Sequence, residues 1–259
     1  MDTKLKDRTA LVCGASKGLG FACAHALAAE GVNLVVVARG QRLLDDSAQQ
    51  LRETFDVKVT SIAADIATPE GRAAVFEGSP ALDILITNCG GPPPGHFKDW
   101  TRDDWISALD ANMLSAIELI KATVDGMVAR KFGRIVNITS SAVKAPISVL
   151  GLSNGARMGL TGFVAGIARD YVRHNVTINN LLPGPFETER FHKTLRGAAA
   201  RAESTYEAVL ESRLKAHPAG RFGRPEEFGS ACAFLCAASS GYLTGQNLLL
   251  DGGQYQGTF

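Results

Sequence analysis

Three glycines, Gly14, Gly18 and Gly20, stand in the stretch CGASKGLG, between a short apolar run and a segment of helical period. Such glycines admit a tight turn and let an anion approach backbone N–H groups, and the N-terminus of the following helix favours negative charge through its dipole. Ser16, Lys17 and Leu19 complete the turn. The strand–turn–helix context makes it a candidate cradle for a dinucleotide pyrophosphate, although glycine turns also serve plain packing. The next apolar run, NLVVVARG, ends in Arg39 with no carboxylate. An acidic residue at that point typically holds a ribose 2′-OH and an arginine a 2′-phosphate. Arg39, with Lys17 as a second positive charge nearby, therefore favours NADP(H) over NAD(H), against the plainer reading of two solvated charges.

The elements that must position these residues follow from periodicity. Short apolar or β-branched runs begin at Thr9, Asn33, Lys58, Leu82, Gly133, Val176 and Asn247. They alternate with helical segments at 20–30, 41–55, 102–131, 152–174 and 225–238, the pattern of crossover units building a parallel sheet. Seven strands are expected, in one α/β domain with a doubly wound sheet and helices on both faces. Several strands are apolar almost throughout, as strands covered on both faces must be. Two irregular stretches, NCGGPPPGHF after the fourth strand and 183–218 after the sixth, fall where ligands of such a sheet bind. Pro92–Pro94 predict a stiff pocket wall, and 186–218 a substrate lid.

With formal net charge +1, the chain has no basic excess for nucleic acid or an anionic membrane, so a small-molecule site is the default. Its five cysteines, Cys13, Cys23, Cys89, Cys232 and Cys236, lack metal-ligand spacing and are expected to be reduced, mostly buried thiols, with no metal site. The polar start MDTKLKDR and the lack of an apolar run of roughly 20 residues predict a cytoplasmic location and no membrane span.

Several motifs, taken in order, resemble the short-chain dehydrogenase/reductase family, and within it 3-oxoacyl-[acyl-carrier-protein]-reductase-like members. CGASKGLG resembles the family's T-G-x-x-x-G-x-G with Cys13 for threonine, ADI its adenine-contacting pair, and TNCGG its N-N-A-G. PGPFET resembles its P-G-x-x-x-T, and YLTGQNLLLDGG its closing strand. The resemblance covers essentially the whole chain and implies a Rossmann fold. It also implies cofactor contacts from Asp65, Ile66, Asn88, Gly90, Pro183, Gly184 and Thr188, the last holding the nicotinamide carboxamide. Hydride transfer between NADP(H) and a carbonyl or secondary alcohol is the implied activity. Assembly into homodimers or homotetramers through 102–131 and 152–174 is also implied.

The family's catalytic set is Asn-Ser-Tyr-Lys. Asn112 in DANMLS and Ser140 in NITSSA match the first two, whereas the tyrosine and lysine positions fall on Ser153 and Arg157. Carbonyl reduction places negative charge on oxygen as hydride arrives, so the site needs a donor and a proton. Serine is a weaker acid than a phenol, and arginine offers charge and a forked donor but does not readily release a proton. The expected site is Asn112, Ser140, Ser153 and Arg157, with reduced activity and with Asn112 holding a water. Lys144, His96, Tyr206 and His192 are candidate outside donors. The alternative is a catalytically silent NADP(H)-binding sensor or scaffold; dehydration or epimerisation lacks an identifiable acid/base pair. In the lid, Arg190, Arg196, Arg201, Arg213 and Lys215 suit an anionic or acyl-carrier-linked ligand and equally a solvated helix face.

Overall fold

The computed structural model describes residues 2–258. Seven strands, β1 (Thr9–Cys13), β2 (Asn33–Ala38), β3 (Val59–Ala63), β4 (Ile84–Thr87), β5 (Gly133–Ile138), β6 (Val176–Pro183) and β7 (Asn247–Leu250), form one sheet in the order 3-2-1-4-5-6-7. Every pairing is parallel. The order reverses between β1 and β4, which opens a crevice beyond their carboxyl ends.

Alternation along the strands builds two cores. Ala10, Val12, Val36, Ile86 and Val136 face α1 (Gly18–Ala29), α2 (Gln41–Thr54) and the late helix at Pro225–Cys236. Leu11, Cys13, Val37, Leu85, Ile135 and Ile178 face helices on the other side. Both layers are apolar, and each fully buried aliphatic side chain contributes about 1.5–3 kcal/mol. Helices on both faces of a seven-stranded parallel sheet make this a Rossmann-like α/β fold.

Two helical features differ from the sequence expectation. The short α3 (Pro69–Glu77) buries only Val75, too little apolar surface to announce itself. The stretch expected as one helix at 102–131 is α4 (Arg102–Leu109), a π-helical turn (Asp110–Leu114) and α5 (Ser115–Ala129). α4 starts with a capping box in which Thr101 and Asp104 satisfy each other's backbone N–H groups. The π turn inserts one wider loop of backbone, a device that re-aims the side chains it carries.

Next comes α6 (Gly151–Tyr171). Gly151, Gly155 and Gly159 lie four residues apart on it, hence on one face. A Cβ on Gly151 would meet the Trp100 ring at 2.4 Å, one on Gly155 the Trp105 ring at 2.9 Å, and one on Gly159 the Met113 sulfur at 2.7 Å. The two indoles pack edge to face, 5.9 Å apart. This stripe seats α6 against α4 and the π turn and leaves its opposite face, with Ser153 and Arg157, to the sheet. The remaining helices are α7 (Glu189–Arg201), α8 (Tyr206–Ala216) and α9 (Pro225–Cys236).

Gly151→Ala is expected to cost about 1–3 kcal/mol through overpacking against Trp100. Urea or thermal unfolding checks it; unchanged stability would mean that the indole is not seated there.

Candidate active site

The glycine turn is built by close approach. Gly14 and Gly18 have φ of +62° and +60°, and a Cβ on Gly20 would lie 2.2 Å from the Gly14 carbonyl oxygen. The turn thus packs directly on the first turn of α1, whose N-terminal N–H groups have no side-chain cap. The Asn88 amide also lies 2.5 Å from a Cβ on Gly14, which joins the loop after β4 to the turn. Leu19 is half-buried against the core.

Gly14, Ser16, Arg39, Asp65, Ile66, Asn88 and Gly90 line one cleft of about 260 Å³ between the ends of β1, β2 and β4. Glycine backbone at one wall and an exposed guanidinium at the other give it the character of a dinucleotide cradle. Asp65 Oδ1 accepts from the Ala67 N–H at 3.0 Å, which holds the turn after β3. Lys17 does not line this cleft; its ammonium donates to Glu189 of α7 at 2.6 Å. Thr188 faces Gly18, with its Cγ2 3.7 Å from a Cβ there, while its hydroxyl caps α7 by accepting from the Phe191 N–H. Pro183 and Gly184 end β6 against β7, the Gly184 N–H donating to the Leu250 carbonyl at 2.8 Å.

The four candidate catalytic residues come from three places, the π turn, the segment after β5 and α6, around the ends of β4 and β5. Asn112 sits in the π turn, 5% exposed. Its Nδ2 makes long bonds to the Gly90 and Ala108 carbonyls (3.5 and 3.4 Å), and its Oδ1 is buried with no partner. Ser140 follows β5 and caps a short 3-10 turn by accepting from the Ala142 N–H. Ser153 and Arg157, both 8% exposed, project from α6, and Arg157 Nε donates to Ser153 Oγ at 3.2 Å.

Arg157 also donates Nη1 to the Ile138 carbonyl at 2.8 Å and Nη2 to the Cys89 carbonyl at 3.3 Å. One guanidinium therefore ties α6 to the end of β5, two residues before Ser140, and to the loop after β4. Burial, with the nearby Arg190 charge adding to it, pulls Arg157 down to about 10, still protonated at neutral pH. Burial likewise pushes the Cys89 thiol up, opposed by Arg157. A small space of about 10 Å³, bounded by Thr87, Asn112, Ser115, Ile138, Arg157 and neighbours, is about the size of one water.

The outside donors are engaged elsewhere. His192 Nδ1 and Tyr206 Oη hydrogen-bond each other at 2.7 Å, Lys144 lies over the Tyr255 ring, and His96 packs on Phe97. No hydrogen bond among the described residues joins any of the four to Ser153 or Arg157. The Pro92–Pro94 loop is pinned beyond the prolines, where the Gly95 N–H donates to the Val149 carbonyl at 2.9 Å.

Two features have little or no signal in local sequence. Arg190 reaches from α7 to donate Nη2 to the Gly91 carbonyl at 3.2 Å. A polar ladder also crosses the sheet: Thr87 donates to Asn137 (2.7 Å), Asn137 to Asn180 (3.2 Å) and Asn180 to Asn247 (2.8 Å). Asparagine-rich β5 and β6 hint at the ladder, but only strand register makes it.

Residues 14–254 match the family described as enoyl-(acyl carrier protein) reductase. The chain belongs to the short-chain dehydrogenase/reductase family. It is 31% identical to a 3-oxoacyl-[acyl-carrier-protein] reductase of Vibrio cholerae, over 97% of this chain and 98% of that one. Identity to gluconate 5-dehydrogenase of Gluconobacter oxydans is 33%, over 96% and 95%. Among solved structures it resembles L-sorbose reductase of Gluconobacter frateurii, complexed with NADPH and L-sorbose, with a TM-score of 0.94 at 29% identity over 99% and 100% of the chains. No helix among the described residues is long and apolar enough to cross a membrane.

The Arg157 shift carries a signed consequence. Its folded value, about 10, lies below the ordinary guanidinium range, so between the two the unfolded chain binds more protons and stability from this position rises with pH. The wild-type minus Arg157→Met difference in unfolding free energy should stay flat below about pH 9 and shift toward wild type from there to about pH 11.5. A difference flat throughout would contradict a desolvated guanidinium.

Proposed function

We propose that this protein is an NADP(H)-dependent oxidoreductase acting on a carbonyl or secondary alcohol, with Ser153 and Arg157 standing where its family carries tyrosine and lysine. The carrying observation is the Arg157 Nε to Ser153 Oγ hydrogen bond of 3.2 Å, buried at the ends of β4 and β5. A guanidinium that donates to a hydroxyl leaves that hydroxyl's own proton free to donate and makes it a stronger donor. Ser153 with Ser140 would then hydrogen-bond the substrate oxygen, and the Arg157 charge would stabilise negative charge developing there. Such preorganised donors act most strongly where water is excluded.

Asn112 is suited to hold a water: its buried Oδ1 lacks a partner, and the adjoining space has one water's volume. That arrangement gives the product oxygen a route to a proton without a phenol. Gly14, Ser16, Gly18, Leu19 and Gly20 would hold the cofactor's diphosphate, Arg39 its 2′-phosphate, Asp65 and Ile66 its adenine. Asn88, Gly90, Pro183, Gly184 and Thr188 would line its nicotinamide end. When bound, NADP(H) supplies or accepts the hydride. Lys17, joined to Glu189, would connect the turn to α7, and α7 and α8 would form the lid of a single domain.

Two exposed apolar groups support assembly into dimers or tetramers: Ile106, Leu114 and Met158 on α4 to α6, and Phe234, Tyr242 and Leu243 at and after α9. A silent cofactor-binding role is the second reading. The engaged outside donors favour it, since no phenol or imidazole replaces the tyrosine.

NADPH binding with NADH for comparison, followed by single-turnover oxidation across a carbonyl panel, tests the proposal. NADPH is expected to bind tighter by roughly 10- to 100-fold, an advantage lost in Arg39→Ala. Turnover is expected and should fall about 10²-fold in Ser153→Ala. Tight NADPH binding with no turnover would select the silent reading.

A further inference from the structure

Arg157 and Arg190 approach Gly91 from different elements, α6 and the first turn of α7. A Cβ on Gly91 would lie 2.7 Å from Arg190 Nη2 and 3.6 Å from Arg157 Nη2, so the two guanidiniums face one small volume. Gly90, with its Cβ position 4.0 Å from Arg190 Nη1, keeps the same side free of side chains. Neither charge is compensated locally. Arg157 donates to a hydroxyl and two carbonyls, Arg190 to one carbonyl, and no carboxylate pairs with either among the described residues. The one acid adjacent in sequence, Glu189, is taken by Lys17.

Arg134 is likewise met only by neutral carbonyl and amide oxygens, but it stands alone, whereas Arg157 and Arg190 converge on one glycine. Other arginines are paired: Arg221 makes two 2.7 Å bonds to Glu227, and Arg8 and Arg130 share Asp83. Two like charges on neutral acceptors beside Ser153 repel each other, and their repulsion contributes to the lowered proton affinity of Arg157. An incoming anion removes that cost. Arg157 already uses three of its five N–H groups and is fixed, whereas Arg190 is exposed, holds one carbonyl and presents a fork that matches a carboxylate.

We propose that Arg190, backed by Arg157, is the specificity determinant of the site and recognises a carboxylate on the substrate, so that the preferred substrates are oxo- or hydroxycarboxylates. The inference rests on the oxidoreductase reading: Ser153 and Arg157 hold the oxygen that gains or loses hydrogen, and Arg190 holds the acid group at the other end. The same guanidinium chemistry would suit the cofactor's diphosphate. On that reading the glycine turn and α1 N-terminus would serve that anion, with Gly18 beside Thr188, whereas Arg190 lies beside Gly91 and Arg157.

The test is calorimetric binding of 2-oxobutanoate, 3-oxobutanoate and 4-oxopentanoate, each beside its neutral methyl ester, to the protein loaded with NADP⁺. At least one acid should bind tenfold or more tighter than its ester. Arg190→Gln should reduce that preference to below threefold, Arg190→Lys should restore part of it, and the Kd for NADPH should change less than threefold in both. Acids and esters binding alike across the series, or failing alike to bind, would overturn the proposal. So would a tenfold loss of NADPH affinity in Arg190→Gln, which would assign the guanidinium to the diphosphate. Acid-selective binding with no turnover of any carbonyl would uphold the carboxylate site while sinking the oxidoreductase reading.

Discussion

Arg157 brings a positive charge into a space that excludes most water, and its donors go to Ser153, Ile138 and Cys89. A buried charge is tolerated only when its N–H groups are met, so the carbonyls at the ends of β4 and β5 and the hydroxyl on α6 are held in one arrangement. A lysine there would have offered three donors on a flexible stem; a guanidinium offers a planar fork that reaches three neighbours at once. This corner is therefore stiffer than its polar content alone implies, because one residue ties α6, the end of β5 and the loop after β4 together.

The surrounding fold prepares that position. Glycines 151, 155 and 159 let Trp100, Trp105 and Met113 sit directly on the outer face of α6, which turns Ser153 and Arg157 toward the sheet. The π turn at Asp110–Leu114 brings Asn112 to the same corner with an unsatisfied oxygen. The ladder from Thr87 through Asn137 and Asn180 to Asn247 ties β4, β5, β6 and β7 together through their side chains. Each of these features gives up something locally, in helix propensity, backbone regularity or core apolarity, to hold the constellation.

The strands were legible because apolar runs bounded by turns have few alternatives in a chain of this composition. Arg39, Asp65, Asn88 and the glycines were legible as cofactor candidates because a dinucleotide cradle is local to β–α turns; Gly14, Arg39, Asp65, Asn88 and Gly90 share one cleft, which Gly18 and Gly20 do not line. The Lys17 to Glu189 bond had no such signal, since an exposed ammonium follows whichever acid lies nearest, and Glu189 is 172 residues away in sequence. The convergence of Arg190 on Gly91 is equally tertiary. The break at Asp110 had no signal either: Leu109, Met113, Ile117 and Ile120 keep spacings of three or four residues across it and read as one helix. The spacing of α6's glycines is visible in GLSNGARMG, but the indoles that fill it come from another part of the chain.

On the proposed reading, a neutral hydroxyl polarised by a guanidinium that stays charged through neutral pH stands in for a titrating phenol. The most direct measurement is the pH profile of the single-turnover hydride-transfer rate, at saturating NADPH and with a carbonyl substrate that does not itself titrate between pH 6 and 9. Neither Ser153 nor Arg157 changes charge in that interval, so the account predicts a rate that is flat across it. A rate that titrates with a single apparent pKa inside the interval would place a proton donor other than the Ser153–Arg157 pair at the reacting oxygen and contradict it.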